Sequence, residues 1–425
     1  MAKYPHLFAE DCIRKKRIKN RIVLSPMDTN LANPDGSMSE ALLTYYLERA
    51  KGGAGIIITG GTIVDFPVGN PTGMPESIDD RKHIVTMSRL ANGVHSYGAL
   101  LIPQIHHAGA QATVKTTGGL SPVCPSADAP IEHLPIRYYH EKDQDTLHTL
   151  TIEEIKEIVQ KFVQAAINCK DAGCDGVEIH SAHGYLINQF LTRDANFRDD
   201  EYGCQSLENR MRFGVEIISA VRAAVGDDFI VGVRVPGKEN TSRGLTDEEC
   251  VEIAKAYEKA GADFLDVSYG TSVDSSRQCE AYIRVEGDKV EYAERIKAAV
   301  SIPVMCVGNL KTPSFCEQVL AEGRADYVCL GRQLICDPYW PEKVEEGREK
   351  EIRRCISCME GCSNNVTMHG SSVRCVLNPT AGLELLNVYE RKPHSLKKIV
   401  VVGGGPAGMQ AAITAAERGH KVILF

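Results

Sequence analysis

Four cysteines near the end of the chain have the spacing of metal or cluster ligands. The segments CISCMEGC and VRC place Cys355, Cys358, Cys362 and Cys375 in the pattern C-x2-C-x3-C-x12-C. Four thiolates at such short spacing bind either a tetrahedral zinc ion or an iron–sulfur cluster. Zinc ribbons usually carry two matched C-x2-C pairs. Three crowded cysteines and a distant fourth therefore favour a [4Fe–4S] cluster, with zinc as the alternative.

A second group of reactive side chains follows an apolar run. The segment GVEIHSAHGYL carries His180, His183 and Tyr185. Two histidines three apart can ligate a metal, but no nearby carboxylate pattern completes such a site. In a strand they would point to opposite faces, so both face one site only if the chain leaves the strand after His180. The group favours proton transfer and oxyanion stabilisation, and packed histidines without chemistry are the alternative.

Eight short apolar runs must position these groups. They are residues 21–27, 55–61, 100–109, 176–184, 229–236, 264–270, 303–309 and 327–332. Amphipathic stretches separate them, and several begin with a Ser or Thr cap and an acid and end at glycine, as helices do. Eight β-then-α units favour a closed (β/α)8 TIM barrel over an open doubly wound sheet. We assign residues 1–345 to this α/β barrel.

Two segments depart from the repeat. The connection 110–150, which includes IEHLPIRYYH, is too long for an ordinary turn and predicts a lid or binding loop. Residues 337–354, DPYWPEKVEEGREKEIRR, predict a helix that closes the barrel.

Glycines follow the last two apolar runs. Barrel enzymes carry their chemistry at the C-terminal ends of the strands and often seat a phosphate after strands seven and eight. Backbone N–H groups and a helix N-terminus are the donors. Gly308, Asn309, Gly331 and Arg332 therefore suggest a phosphorylated cofactor or substrate, although glycine after a strand is also ordinary turn chemistry.

Several of these segments together resemble a known family. RIVLSPM, TGG, QIHHAG, EIHSAHGYLINQFL, VGVRV and GRADYVCLGRQLICDP are similar to the old yellow enzyme family of FMN ene-reductases, over about residues 5–345. The resemblance implies that FMN crosses the barrel mouth, contacted by Pro26, Met27, Asp28, Gly61, Gln104 and Arg234, with its phosphate at Gly308, Asn309, Gly331 and Arg332. Two positions depart from the family: Asp28 replaces a small Cys or Thr, and Ala110 replaces an arginine.

The same resemblance implies catalytic roles. His180 and His183 would hold the carbonyl oxygen of an α,β-unsaturated substrate. Hydride from flavin N5 reaching the β-carbon drives charge onto that oxygen, and preorganised donors stabilise it. Tyr185 would protonate the α-carbon, since a phenol with a pKa near 10 is protonated at neutral pH.

The last residues predict a dinucleotide-binding unit. In VVVGGGPAGMQAA, Gly403, Gly405 and Gly408 fit G-x-G-x-x-G between a strand and a helix. We assign residues 346–390 to a [4Fe–4S] segment and 391–425 to the start of a FAD/NAD(P)-binding domain. The chain ends before the acid that should hold the ribose, so the FAD site is expected to be incomplete and NAD(P)H turnover poor.

The chain carries a barrel, then the four cysteines, then the glycine motif. This order resembles the long subgroup of the same family. That subgroup includes dienoyl-CoA, enoate and steroid enone reductases and trimethylamine dehydrogenase. It implies electron flow from NAD(P)H through FAD and the cluster to FMN, with an enoate, enone or enoyl-CoA as substrate. The alternatives are an amine dehydrogenase, which SPMDTNL weakens by lacking a flavin-linking cysteine, and an electron-transfer subunit. NADH or NADPH, the alkene and a possible homo-oligomer stay open.

The composition and charge of the chain limit the classes of partner that we expect it to bind. The net charge is −8 and the basic residues are scattered, which disfavours nucleic acid. No apolar stretch reaches the roughly 20 residues of a membrane span, and the first residues have no signal-peptide run, so a cytoplasmic location is expected. Eleven of the fifteen cysteines are dispersed and are interpreted as buried apolar residues or free thiols.

Overall fold

The computed structural model of the chain is centred on a closed barrel of eight parallel strands. It describes residues 3–128, 147–271, 282, 284–386 and 393–425. The strands, in chain order, are β1 (Asp11–Ile13), β2 (Lys16–Ile18), β3 (Ile22–Leu24), β4 (Ile56–Ile63), β5 (Leu100–His106), β6 (Val123–Cys124), β7 (His148–Thr149), β8 (Gly176–His180), β9 (Ile230–Pro236), β10 (Phe264–Ser268), β11 (Val304–Cys306), β12 (Tyr327–Leu330), β13 (Lys398–Val401) and β14 (Lys421–Leu424).

The barrel order confirms the predicted fold. Neighbouring strands follow the order β10-β11-β12-β3-β4-β5-β8-β9, so every predicted run supplies one barrel strand. Every residue of these eight strands is buried. Apolar residues dominate the runs because parallel strands are covered on both faces. The hairpin of β1 and β2 adds Ile13 and Ile18 to the apolar cluster inside the barrel.

The helices surround the barrel at the predicted places. Their bounds are Glu40–Lys51, Ile84–Ser96, Ile152–Asp171, Leu186–Leu191, Leu207–Val225, Asp247–Ala260, Val290–Lys297, Pro313–Ala321, Arg332–Cys336, Trp340–Glu345, Asn365–Thr367 and Pro406–Glu417. Two of them begin with a capping box, Thr151 with Glu154 and Thr246 with Glu249. Each cap satisfies backbone donors that the first turn cannot pair.

The predicted closing helix over 337–354 is wrong as a continuous element. Within this range the structure has a short helix at Trp340–Glu345 and a 3-10 turn at Glu349–Glu351. Pro341 lies in the first turn of that helix, where proline is tolerated, and so marks its start. Gly347 takes a left-handed φ of +74° just after its end, so the helix does not continue.

The cysteine segment is held against the barrel by hydrogen bonds to its strand ends. Val373 N–H donates to the Thr29 carbonyl at 2.8 Å, and Asn30 Nδ2 donates to the Val366 carbonyl at 3.2 Å. These bonds place the segment over the C-terminal ends of the strands, where the chemistry of barrel enzymes lies.

The terminal residues form the predicted βαβ unit. Strands β13 and β14 pair in parallel, joined by the helix Pro406–Glu417. Gly403 has a φ of +108°, and a Cβ on Gly408 would lie 1.8 Å from the Gly403 carbonyl oxygen. The first glycine therefore makes the turn and the last permits close packing of helix on strand.

Two expectations are only partly covered. Residues 129–146 of the predicted lid, with all of IEHLPIRYYH, lie outside the described residues, as does the domain boundary near 390. The division into 1–345, 346–390 and 391–425 stays a prediction. Among the residues with a described position, no helix is long and apolar enough to cross a membrane.

Candidate active site

One open cleft lies at the C-terminal ends of the barrel strands. Its empty volume is about 1350 Å³, counting the mouth. All predicted barrel-site residues line it: Pro26, Met27, Asp28, Gly61, Gln104, His180, His183, Tyr185, Arg234, Gly308, Asn309, Gly331 and Arg332. Residues more than 300 positions apart in sequence are therefore brought together on one surface, while their roles stay predictions.

The two histidines face the cleft because the chain leaves the strand between them. Strand β8 ends at His180, and His183 has a left-handed φ of +64°. His180 Nε2 and His183 Nδ1 are then 3.2 Å apart. Tyr185 precedes the helix Leu186–Leu191, with its ring centroid 4.9 Å from that of His180. Both histidines can therefore face one site, because the chain leaves the strand after His180.

Hydrogen bonds define which histidine nitrogens carry protons. Burial, the largest cause, holds the pKa of His180 and of His183 well below the ordinary value, so both rings are neutral. Ala182 N–H donates to His180 Nδ1 at 3.2 Å, which leaves the proton on Nε2. That proton points to His183 Nδ1, so His183 carries its own proton on Nε2 and donates to Ser268 Oγ at 2.7 Å. The result is a directed relay from strand β8 to strand β10.

A buried layer of carboxylates supports the two residues predicted at the flavin ring. Gln104 Nε2 donates to Glu178 Oε1 at 2.6 Å, and Arg234 Nη1 lies 3.3 Å from Asp266 Oδ2. Each pair joins residues directly opposite on neighbouring strands. Burial raises the pKa of Glu178 and Asp266. The layer fixes the amide and the guanidinium toward the cleft.

Bare backbone lines the part of the cleft predicted for the cofactor. A Cβ on Gly61 would lie 3.1 Å from His106, and one on Gly331 would lie 3.1 Å from Met27 Sδ. Gly308 has a φ of +133°, and its Cβ would meet Lys289 at 3.0 Å. The buried Arg234 Nε also has no hydrogen-bond partner within the described residues. The glycines leave space that side chains would fill, and the buried Arg234 guanidinium supplies a donor there. Such a site fits a flat anionic cofactor such as FMN.

The carboxylate of Asp28 is engaged by the backbone beside it. Asp28 is half-buried in the cleft wall, and its Oδ1 accepts a hydrogen bond from Gly61 N–H at 3.1 Å. A backbone donor at this distance stabilises the negative charge. This contact gives the unusual residue a structural partner at the edge of the predicted flavin site.

Sequence reasoning missed several residues of the cleft. Ser268, Lys289 and Gln333 line the cleft, and Glu178 and Asp266 contact residues that line it. Ser268 ends a barrel strand, which was a usable signal, just as His106 was read as the end of its strand. Glu178 and Asp266 are acids inside otherwise apolar strands, and such residues indicate buried partners. No pattern marked Lys289.

All four clustered cysteines line a second, smaller cavity. Its empty volume is about 320 Å³, and a fifth cysteine, Cys336, also lines it. Two of the four, Cys355 and Cys362, belong to the walls of both cavities, as does Arg332. Within the described ranges, no three His, Cys, Asp or Glu side chains gather closely enough to hold a single metal ion.

Specific bonds join the cysteine segment to the cleft. Ser357 has a φ of +56°, and its hydroxyl donates to Asn309 Oδ1 at 2.7 Å. Cys355 N–H donates to Gln333 Oε1 at 3.0 Å. A hydrogen bond from Cys336 is the largest cause that lowers the pKa of Cys375, to about 6.

Known proteins match both parts of the chain. Residues 6–351 match the NADH:flavin oxidoreductase / NADH oxidase family, and residues 398–425 match the FAD dependent oxidoreductase family. NADH oxidase of Thermoanaerobacter brockii is 47% identical over 425 residues, covering 100% of this chain and 64% of the relative. Cinnamate reductase of Clostridium sporogenes is 35% identical, covering 99% and 64%. This chain thus spans less than two thirds of the length of these relatives.

Solved structures agree with this assignment. A 2-naphthoyl-CoA reductase complex superposes with a TM-score of 0.91 at 32% identity, covering 99% of this chain and 64% of that one. Histamine dehydrogenase from Rhizobium sp. 4-9 superposes with a TM-score of 0.86 at 29% identity, covering 99% and 60%. Barrel, cleft and family match lead to one conclusion: the chain belongs to the NADH:flavin oxidoreductase / NADH oxidase family, the old yellow enzyme family.

Proposed function

We propose that this chain reduces the C=C bond of an α,β-unsaturated carbonyl compound in the cleft, with FMN bound there. The observation that carries the proposal is the neutral histidine pair with Tyr185 beside it, on the same wall as the predicted flavin residues. Relatives named cinnamate reductase and 2-naphthoyl-CoA reductase give it further support. These relatives are longer than this chain, and we propose their type of activity for it by similarity.

Bound FMN would be held by residues already placed around the cleft. Gln104 and Arg234 donate to the ring edge, and the backbone at Gly308 and Gly331 leaves room for the phosphate arm. When bound, FMN supplies the hydride that the β-carbon of the substrate receives. The chain must then hold the substrate oxygen and deliver a proton to the α-carbon.

The histidine pair can hold the oxygen after one change of tautomer. In the structure the His180 Nε2 proton is directed to His183 Nδ1. A carbonyl oxygen between the rings needs a donor from each, so His183 must carry its proton on Nδ1. Ser268 permits this, because its hydroxyl at 2.7 Å can donate to His183 Nε2 instead of accepting. Two neutral donors then meet the charge that develops on the oxygen.

Tyr185 is placed to deliver the proton. Its ring lies against His180 and against His106, with centroids 4.9 and 4.2 Å away. The side chain is buried in the cleft wall, where a positioned acid acts without competition from bulk water. This location supports Tyr185 as the general acid.

The cysteine pocket supports a [4Fe–4S] cluster as the source of electrons. Four cysteines surround a cavity instead of converging on a point, as four corners of a cluster require. The helix Arg332–Cys336 reaches from the cleft to this cavity in five residues, about 7 Å. A cluster bound here supplies single electrons. We propose that these electrons come from NAD(P)H through FAD, a cofactor to whose site the terminal βαβ unit would contribute.

Single-turnover chemistry tests this proposal. The chain is reconstituted with FMN, iron and sulfide without oxygen, reduced with dithionite, and mixed with cinnamate, cyclohexenone or an enoyl-CoA while flavin absorbance is followed. We expect an alkene to reoxidise the flavin. His180→Ala should slow this step about 10²-fold and Tyr185→Phe about 10²-fold or more.

Two control variants and one contrary result complete the test. His148→Ala and Tyr97→Phe change exposed residues away from the cleft and should leave the rate unchanged. Full rates in His180→Ala and Tyr185→Phe would contradict the assigned roles. Bleaching of the oxidised flavin by amines, with no reaction of alkenes, would favour an amine dehydrogenase, the class to which the similar histamine dehydrogenase structure belongs.

A further inference from the structure

A short turn, residues 183–185, joins the histidine that would hold the substrate oxygen to the tyrosine that would deliver the proton. His183 and Gly184 both take left-handed backbone, with φ of +64° and +76°. Residues in this conformation leave the hydrogen-bond pattern of strand and helix, so their peptide groups need other partners. Two such peptide groups, 183–184 and 184–185, separate His183 from Tyr185.

Three buried amide side chains bind these two peptide groups. Asn188 Oδ1 accepts from Gly184 N–H at 2.6 Å, and Gln111 Nε2 donates to the His183 carbonyl at 2.8 Å. Both bonds hold the first peptide group. Gln189 Nε2 donates to the Gly184 carbonyl at 2.8 Å and so holds the second. Because all three amides are buried, water does not compete for these bonds.

The loops after the two neighbouring strands orient the amides. Strand β8 lies between β5 and β9 in the barrel. After β5, Ala110 N–H donates to Gln189 Oε1, and the Ala108 carbonyl accepts from Gln189 Nε2, both at 3.2 Å. After β9, Glu239 Oε1 accepts from Asn188 Nδ2 at 2.9 Å. Gln189 and Asn188 each have a donor on one side and an acceptor on the other, which fixes their orientation.

We propose that two of these amides are positioning residues with separate tasks. Gln111 holds the carbonyl of His183 and thereby sets the place of the ring that would bind the substrate oxygen. Gln189 holds the peptide group through which the chain enters Tyr185 and thereby sets the place of the proton donor. The inference rests on the proposed function and assigns one amide to each half of the reaction.

Single-turnover kinetics on the reconstituted full chain separate the two tasks. Gln111→Met and Gln189→Met keep the length of the side chain and remove its hydrogen bonds. In Gln189→Met we expect the limiting rate to fall about 10-fold and to fall further in D₂O, with little change in apparent KM, because proton delivery becomes slow. In Gln111→Met we expect apparent KM to rise about 10-fold with a smaller change in the limiting rate, because the oxygen is held less well.

Two further variants complete the kinetic test. Gln189→Glu keeps the acceptor for Ala110 N–H and, as a carboxylate, has no donor for the Gly184 carbonyl. It should show the same fall in rate, also where Gln189→Met fails to fold. Gln318→Met changes an exposed glutamine that does not line the cleft and should match the parent.

A measurement without substrate checks the place of His183. The nitrogen-15 signals of its ring, assigned with His183→Asn, report its hydrogen bonds to His180 and Ser268. These signals should shift in Gln111→Met and stay in place in Gln189→Met.

Three results would overturn the separate tasks. They are equal effects of the two methionine variants on rate and apparent KM, parent-like kinetics in both, and His183 signals that do not respond to Gln111→Met. If no alkene reoxidises the flavin while the His183 signals shift as expected, the proposed substrate is wrong and Gln111 still positions His183.

Discussion

At the scale of single residues, the site depends on protons whose positions are set by neighbours. The relay Ala182, His180, His183, Ser268 runs in one direction because both rings are neutral and the first donor is a backbone N–H. Ser268 is the member whose single oxygen can either accept from or donate to His183 Nε2. It is therefore a positioning residue, which acts on the substrate through His183.

Removing the Ser268 hydroxyl should weaken substrate binding in the reaction we propose. In Ser268→Ala, His183 Nε2 loses the donor that lets Nδ1 carry the proton, so we expect the apparent KM for an enone to rise about 10-fold with a smaller change in the limiting rate. Single-turnover rates over a range of substrate concentrations measure this split. Ser268→Thr keeps the hydroxyl and should restore binding, and exposed Ser301→Ala is the control. Equal binding in Ser268→Ala and Ser268→Thr would refute the role.

At the scale of elements, strand β4 brings a buried acid close to the cleft. Glu76 is buried, and its Oε1 accepts from Thr62 Oγ1 of β4 at 2.8 Å. Burial raises the pKa of Glu76 to about 7. An unfolded glutamate titrates near 4.3, so between these values the folded state binds the extra proton. Stability must then fall as pH rises through this window.

Glu76→Gln should remove that pH dependence. A neutral amide keeps the acceptor for Thr62 and cannot ionise, so the variant should gain on the order of 3 kcal/mol relative to the parent above pH 7 and little below pH 4.5. Urea unfolding at pH 5 and pH 8 measures the difference. The exposed Glu157→Gln serves as control. If the free energy of unfolding falls by the same amount from pH 5 to pH 8 in the parent and in Glu76→Gln, Glu76 is not the source of the pH dependence.

At the scale of the whole molecule, several hydrogen bonds join the cysteine segment to the barrel. Val373, Asn30, Asn309 and Gln333 each take part in bonds between the segment and the barrel. A metal centre organises ligands that would otherwise repel or move, and its binding energy adds to that of folding. The cluster and the cleft should therefore gain stability together.

Removing the cluster should loosen the cleft as well as the segment. After oxidation and chelation of iron we expect a lower Tm and weaker FMN binding, by about 10-fold, because Asn309 and Gln333 lose partners in a mobile segment. Differential scanning calorimetry and quenching of FMN fluorescence measure the two effects, and reconstitution with iron and sulfide should reverse both. FMN affinity that is independent of iron would separate the two sites.

The sequence predicted the barrel well because its signals are local. Each buried strand is an apolar run, and several helices carry their own caps, as Thr151 and Thr246 show. The site residues were predicted from strand ends and from the family resemblance. The predicted closing helix is confined to Trp340–Glu345, because Pro341 marks its start and Gly347 has a left-handed φ after its end. Glu178, Asp266 and Cys336 could not be found, since strand register and side-chain contacts arise only when distant segments meet.

The left-handed backbone at His183 restricts what evolution can place there. A φ of +64° disfavours β-branched side chains and is most readily accepted by glycine, asparagine, aspartate and histidine. Of these, only asparagine and histidine offer a neutral N–H donor. Few substitutions therefore keep both this backbone conformation and a neutral donor, and asparagine is the one that selection should tolerate first.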